Sequence, residues 1–157
     1  MSPTHSDPRS AMAASANRAA QILALASPPD LRGLSLAVLH LVMARRLIVL
    51  CDRAGRDPVC ELALRLRSCA AATALVELSA SIDRAWPDAF VTGRPCCMTM
   101  TPDEATLAVM ARTGLVGDRV GFSRTIAGFV RADRHPPLYD ATIGALAAVS
   151  AALQTAA

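Results

Sequence analysis

Leu34-Ser35-Leu36-Ala37-Val38-Leu39-His40-Leu41-Val42-Met43-Ala44-Arg45-Arg46-Leu47-Ile48-Val49-Leu50 is the most hydrophobic region of the chain. Read as a helix running from an N-cap at Asp30 to about Arg53, it is apolar around most of its circumference, with a polar stripe of Arg32, Ser35, Arg46 and Arg53. A helix of that kind belongs at the centre of a bundle. It is not expected to span a membrane, because a spanning helix needs ~20 apolar residues and Arg45 and Arg46 interrupt the run. His40 lies away from the polar stripe, where a neutral imidazole bonded to a neighbour is expected rather than a metal ligand.

On the C-terminal side, Asp57-Pro58 supplies an N-cap and a proline at the first helical position, and the pattern predicts one helix from Pro58 to about Ala85. Leu64, Ala71, Leu75, Leu78 and Ile82 fall on one face of it, and Leu62, Leu66, Cys69 and Val76 on a second. Two apolar faces imply two packing partners, and the small residues from Ala70 to Ala74 permit a close approach. An antiparallel hairpin with the preceding helix is expected. Trp86-Pro87 ends this helix, and the stretch through Met100 has no period, which predicts a packed loop with Trp86 as its anchor.

Thr101-Pro102-Asp103-Glu104 combines a capping box, a proline at N1 and acidic residues in the first turn, so it predicts a helix start, with Leu107, Met110 and Ala111 facing inward up to Gly114. A further helix is expected after Asp118, with Phe122, Ile126, Phe129 and Val130 on one side. His135-Pro136-Pro137 reads as a break before a last helix from Leu138 to about Leu153, with Leu146, Val149 and Leu153 inward. On the N-terminal side, residues 1–10 lack a periodic pattern and predict a disordered tail, whereas Ala19, Ile22, Leu23 and Ala26 mark a helix over 11–26 that Ser27-Pro28-Pro29 ends.

Composition agrees with these local patterns. A chain of 157 residues is the size of one domain, 53% of it is hydrophobic and 3% is aromatic, and much of the apolar content is alanine. Residues that favour pleated surfaces are too few for a sheet, so the expected class is all-α, a single-domain bundle of five or six helices over 11–157. All 16 basic side chains are arginine, scattered among acidic residues, and the net charge is +3. Such a modest, dispersed charge argues against nucleic acid as a partner. Cys51, Cys60, Cys69, Cys96 and Cys97 make an odd set in a chain that does not need disulfides, and the first 27 residues lack a long apolar run, so a cytoplasmic location is expected.

Arg94-Pro95-Cys96-Cys97-Met98-Thr99-Met100 is the chemically unusual segment. Cys96, Cys97, Met98 and Met100 are soft ligands of the kind that hold monovalent copper, and Arg94 with the following helix N-terminus would stabilise a thiolate. Asp103 and Glu104 oppose that charge, adjacent cysteines suit tetrahedral zinc poorly, and neither His40 nor His135 completes a zinc spacing. Buried packing by these sulfurs is the competing expectation. Cys96-Cys97-Met98-Thr99-Met100-Thr101-Pro102-Asp103-Glu104-Ala105-Thr106-Leu107 resembles a segment in small all-helical bacterial proteins of unknown function. That resemblance implies the helical class and transfers no site.

No phosphate loop, metalloprotease helix or nucleophile elbow occurs, and His135 is the one base placed to serve a cysteine, so no catalytic residue and no cofactor is assigned. The expected function is a non-enzymatic interaction or regulatory module, through a protein partner or self-association. A thiol-redox or soft-metal responder at Cys96 and Cys97 is the alternative. A helix-turn-helix DNA binder over Leu107 to Arg124, with Arg119 on the second helix, is a further one.

Overall fold

The computed structural model describes residues 29–155, so the expected tail over 1–10, with its His5, and the expected helix over 11–26 lie outside the described residues. The described residues form an all-α single-domain bundle of six α-helices without β-strands. These are α1 (Leu36–Arg53), α2 (Pro58–Leu66), α3 (Cys69–Ala85), α4 (Pro102–Leu115), α5 (Arg119–Ile126) and α6 (His135–Thr155). Short 3-10 turns at Leu31–Gly33 and Ala132–Arg134 precede α1 and α6.

Three boundaries differ from the sequence expectation. Asp30 does accept a backbone N–H, but from Arg32, so it caps the 3-10 turn, and α1 starts only after Ser35. The single helix expected over Pro58 to Ala85 is two: Arg67 adopts a left-handed conformation with φ 53° and ends α2, and the Ser68 hydroxyl accepts from Ala71 N to start α3. Leu64, assigned to the inner stripe, is consequently 78% exposed, whereas Ala71, Leu75, Leu78 and Ile82 are buried. His135-Pro136-Pro137 is no break but the first turn of α6, where prolines remove only N–H groups that lack intrahelical acceptors.

Small residues set the packing. Ala71 and Ala72 of α3 and Ala145 and Val149 of α6 are fully buried, and these two helices make the most extensive pairing in the bundle. Gly114 lets α4 approach α6 in the same way, since a Cβ there would stand 3.2 Å from Ile143 Cδ1. Leu107, Met110, Ala111, Phe122 and Ile126 close the core from α4 and α5. Asp118 caps α5 through Gly121 N, as its sequence position predicts. No helix among the described residues is long and apolar enough to cross a membrane.

Candidate functional site

The centre of α1 carries two arginines that the bundle buries, which overturns the assignment of Arg46 to a polar surface stripe. Arg46 Nε and Nη2 donate to Glu104 Oε1 and Oε2, each at 2.7 Å, with both side chains wholly out of solvent. The remaining donors of the Arg46 fork reach backbone carbonyls of the loop: Nη1 donates to Arg94 O at 3.0 Å and Cys97 O at 2.5 Å, and Nη2 to Thr99 O at 2.9 Å. Glu104 completes the set by accepting from Gly93 N at 2.9 Å and Thr101 N at 3.0 Å. A planar fork with five N–H donors and a carboxylate with about four acceptor sites thus satisfy each other and the loop around them.

The electrostatics follow from that geometry. The Glu104 hydrogen bond raises the Arg46 pKa further above its ordinary value, against the opposing effect of burial. Burial by itself would raise the Glu104 carboxyl, but the bonds from Arg46 and from the Thr101 and Gly93 amides outweigh it and leave it below its ordinary value. Glu104 therefore has two roles, since it also closes the capping box with Thr101. The capping signal was legible in the sequence and the ion pair was not.

The neighbouring Arg45 turns to the opposite side of the loop. It donates to Ser79 and to both carboxylate oxygens of Asp83, and its guanidinium carbon lies 4.9 Å from the centroid of the Phe90 ring. Phe90 and Phe129 flank Trp86, each with its centroid 5.0 Å away. Trp86 anchors the loop in the core, as expected from its position.

These contacts fix where the sulfurs stand. Cys97 N donates to Arg94 O, closing a turn with Pro95 at its second position. Cys96 and Met98 point to solvent, Cys97 is half-buried and Met100 is buried, so the four soft side chains divide between surface and interior. All five cysteines are free, and among the described residues no three His, Cys, Asp or Glu side chains are grouped to hold a metal ion. His40 Nδ1–H donates to Leu36 O at 2.8 Å and His135 Nε2–H to Val130 O at 3.0 Å, so each imidazole is bound to the backbone of its own neighbourhood.

The segment from Leu107 to Arg124 does contain a helix, a turn at Gly117 with φ 70°, and a second helix. That second helix has eight residues, and its Arg119 guanidinium lies 5.2 Å from the centroid of the Tyr139 ring of α6. The arginine that would extend toward a duplex is thus stacked on the chain's own surface.

A feature of α1 that periodicity alone did not reveal is an open seam. Leu36, His40, Met43, Leu47 and Leu50 recur at alternating four- and three-residue steps, and each is half-buried or exposed. The rest of the helix circumference carries the buried Val38, Leu41, Val42, Ile48 and Cys51. Met43, Leu47 and Leu50 form one wall of a groove of about 270 Å³, with Leu62 and Leu66 of α2 opposite and Pro95 of the loop also lining it. Arg65 borders the groove and makes no ion pair among the described residues. No protein-family model, curated protein or solved structure matches the chain.

Proposed function

We propose that the protein is a non-enzymatic interaction module whose groove between α1 and α2 receives an amphipathic, acidic helix from a protein partner. The observation that carries this is the seam of Leu36, His40, Met43, Leu47 and Leu50, which has the rhythm of a helix-packing face and whose last four members line the groove with Leu62 and Leu66 of α2. Its length, about 21 Å at 1.5 Å per residue, suits a partner helix of four turns. Arg65, exposed at the border and outside any ion pair among the described residues, favours a carboxylate on that helix. Five free cysteines are compatible with work in the reducing cytoplasm.

The test is a fluorescence-anisotropy titration of the full chain with a designed 21-residue helical peptide (three heptads). The peptide carries leucines at alternating three- and four-residue steps and flanking glutamates. Saturable binding, weakened at least about tenfold by Leu47→Asp, and weakened again when lysines replace the glutamates, is expected. Equal binding to the wild-type chain and Leu47→Asp would remove the groove from consideration.

A further inference from the structure

We infer that a second, acidic groove, walled by Trp86, Phe129, Asp88 and Asp103, receives the guanidinium of an arginine side chain from a protein partner. It shares no lining residue with the groove between α1 and α2, so the two sites stand or fall independently.

The groove has a volume of about 350 Å³ and lies where the start of the loop meets the first turn of α4, with Pro87 and Pro102 also on its walls. Two aromatic rings and two carboxylates line it, and among the described residues no arginine or histidine does. In a chain with 16 arginines and a net charge of +3, that is a local reversal of sign. Phe129 is 39% exposed, so part of its ring is open to a ligand. Asp88 is exposed, and neither it nor Asp103 enters an ion pair among the described residues.

The class of occupant is read from the chain itself. Trp86 stands between two phenylalanines, with Phe90 on one side and Phe129 on the other. At the Phe90 end the arrangement is complete: Arg45 lies 4.9 Å from the ring centroid and donates to both carboxylate oxygens of Asp83. At the Phe129 end a ring and carboxylates again stand together, and no cation among the described residues lines the space between them. A planar, weakly hydrated guanidinium can stack on a ring and bond a carboxylate through its edge, whereas an ammonium is a compact, strongly hydrated charge. Arginine is therefore the expected guest rather than lysine. The groove is larger than a guanidinium fills, and the apolar Pro87, Pro102 and the exposed Val91 offer contact to the residues that flank an arginine in a polypeptide.

The two carboxylates are not equivalent. Asp103 Oδ2 accepts from Val91 N at 2.7 Å, and its charge sits in the first turn of α4, where it offsets the positive end of the helix. Asp88 lies in the loop, outside any helix, and supplies most of the attraction.

Trp86 is the chain's only tryptophan, so its fluorescence reports on this groove directly. The experiment titrates an end-capped peptide, Ala-Leu-Arg-Leu-Ala, into the full chain at low ionic strength. A saturable fluorescence change is expected, weakened at least about fivefold by Asp88→Asn and by citrulline in place of the arginine, and weakened further by added salt. Asp88→Asn is expected to leave the urea midpoint unchanged, which separates lost binding from lost folding. No saturable response of the wild-type chain, or equal binding of the arginine and citrulline peptides, overturns the site, as does equal binding by Asp88→Asn. Ethylguanidinium binding as tightly as the peptide overturns the protein partner and gives the groove to a small cation.

Discussion

Gly93 stands so close to the Arg46 guanidinium that a Cβ at position 93 would lie 2.7 Å from Arg46 Nη2 and 3.2 Å from Glu104 Oε2. Neither group has room to retreat, because each is held by bonds on its other sides. Gly93→Ala is therefore expected to cost about 1–3 kcal/mol, the range for forcing an extra methyl into a filled site. The midpoint of urea denaturation measures it.

The Arg46–Glu104 pair predicts an asymmetry between breaking one member and replacing both. Glu104→Gln leaves a buried guanidinium without its counter-charge and is expected to cost about 3–5 kcal/mol. Arg46→Met combined with Glu104→Leu is expected to lose less than the two single losses summed, as a double-mutant cycle on urea midpoints will show. The loop carbonyls of Arg94, Cys97 and Thr99 lose their donor in that variant, so nicking of the loop by a non-specific protease such as subtilisin is expected to rise.

Acid sensitivity follows from the same carboxylate. Its folded pKa lies below its ordinary value of 4.5, so the unfolded chain takes up the proton first on acidification. The stabilisation is complete above that ordinary value and is lost as the pH falls through it toward the lower folded value. Urea midpoints of the wild-type chain collected from about pH 7 down to about pH 3 are expected to decline more steeply than those of Glu104→Gln.

Arg67 divides α2 from α3 at φ 53°, a conformation that costs a side-chain-bearing residue roughly 1–2 kcal/mol. Arg67→Gly is expected to raise thermal stability slightly, by less than about 1 kcal/mol after the added freedom of the unfolded chain is deducted. Arg67→Val is expected to lower it, since β-branching makes the same conformation worse.

The cysteines separate by environment. Cys51 is buried, and burial pushes its thiol up, so it is expected to be the slowest to react with a disulfide reagent in the native chain. Cys60 is exposed, but its hydrogen bond with Asp57 and the charge of that carboxylate also push the thiol up. Asp57→Asn keeps an N-cap and removes the charge, and is expected to accelerate labelling of Cys60 at neutral pH.

The helical class and the start of α4 were legible because several local preferences coincide at Thr101-Pro102-Asp103-Glu104, and the structure shows the capping box complete. The inward Leu107, Met110 and Ala111 followed from period alone. The division at Arg67-Ser68 was hidden because no glycine or proline marks it and the apolar pattern continues across it. The burial of Arg46 was hidden for a different reason: its partner lies 58 positions away, and an ion pair that far apart leaves no periodic trace in either helix. The α1 seam escaped notice because a helix apolar on nearly every side does not reveal which side borders a groove.

The Arg46 fork grips oxygen atoms of the main chain at positions 94, 97 and 99 and touches none of the side chains there through those bonds. The path of the loop is consequently written in part into a helix 48 positions upstream, beside the loop's own Trp86 and Gly93. Cys96 and Met98, both facing water, stand on a scaffold that tolerates exchange of what it displays. Foreign recognition sequence could be grafted at those two positions with the frame beneath them intact.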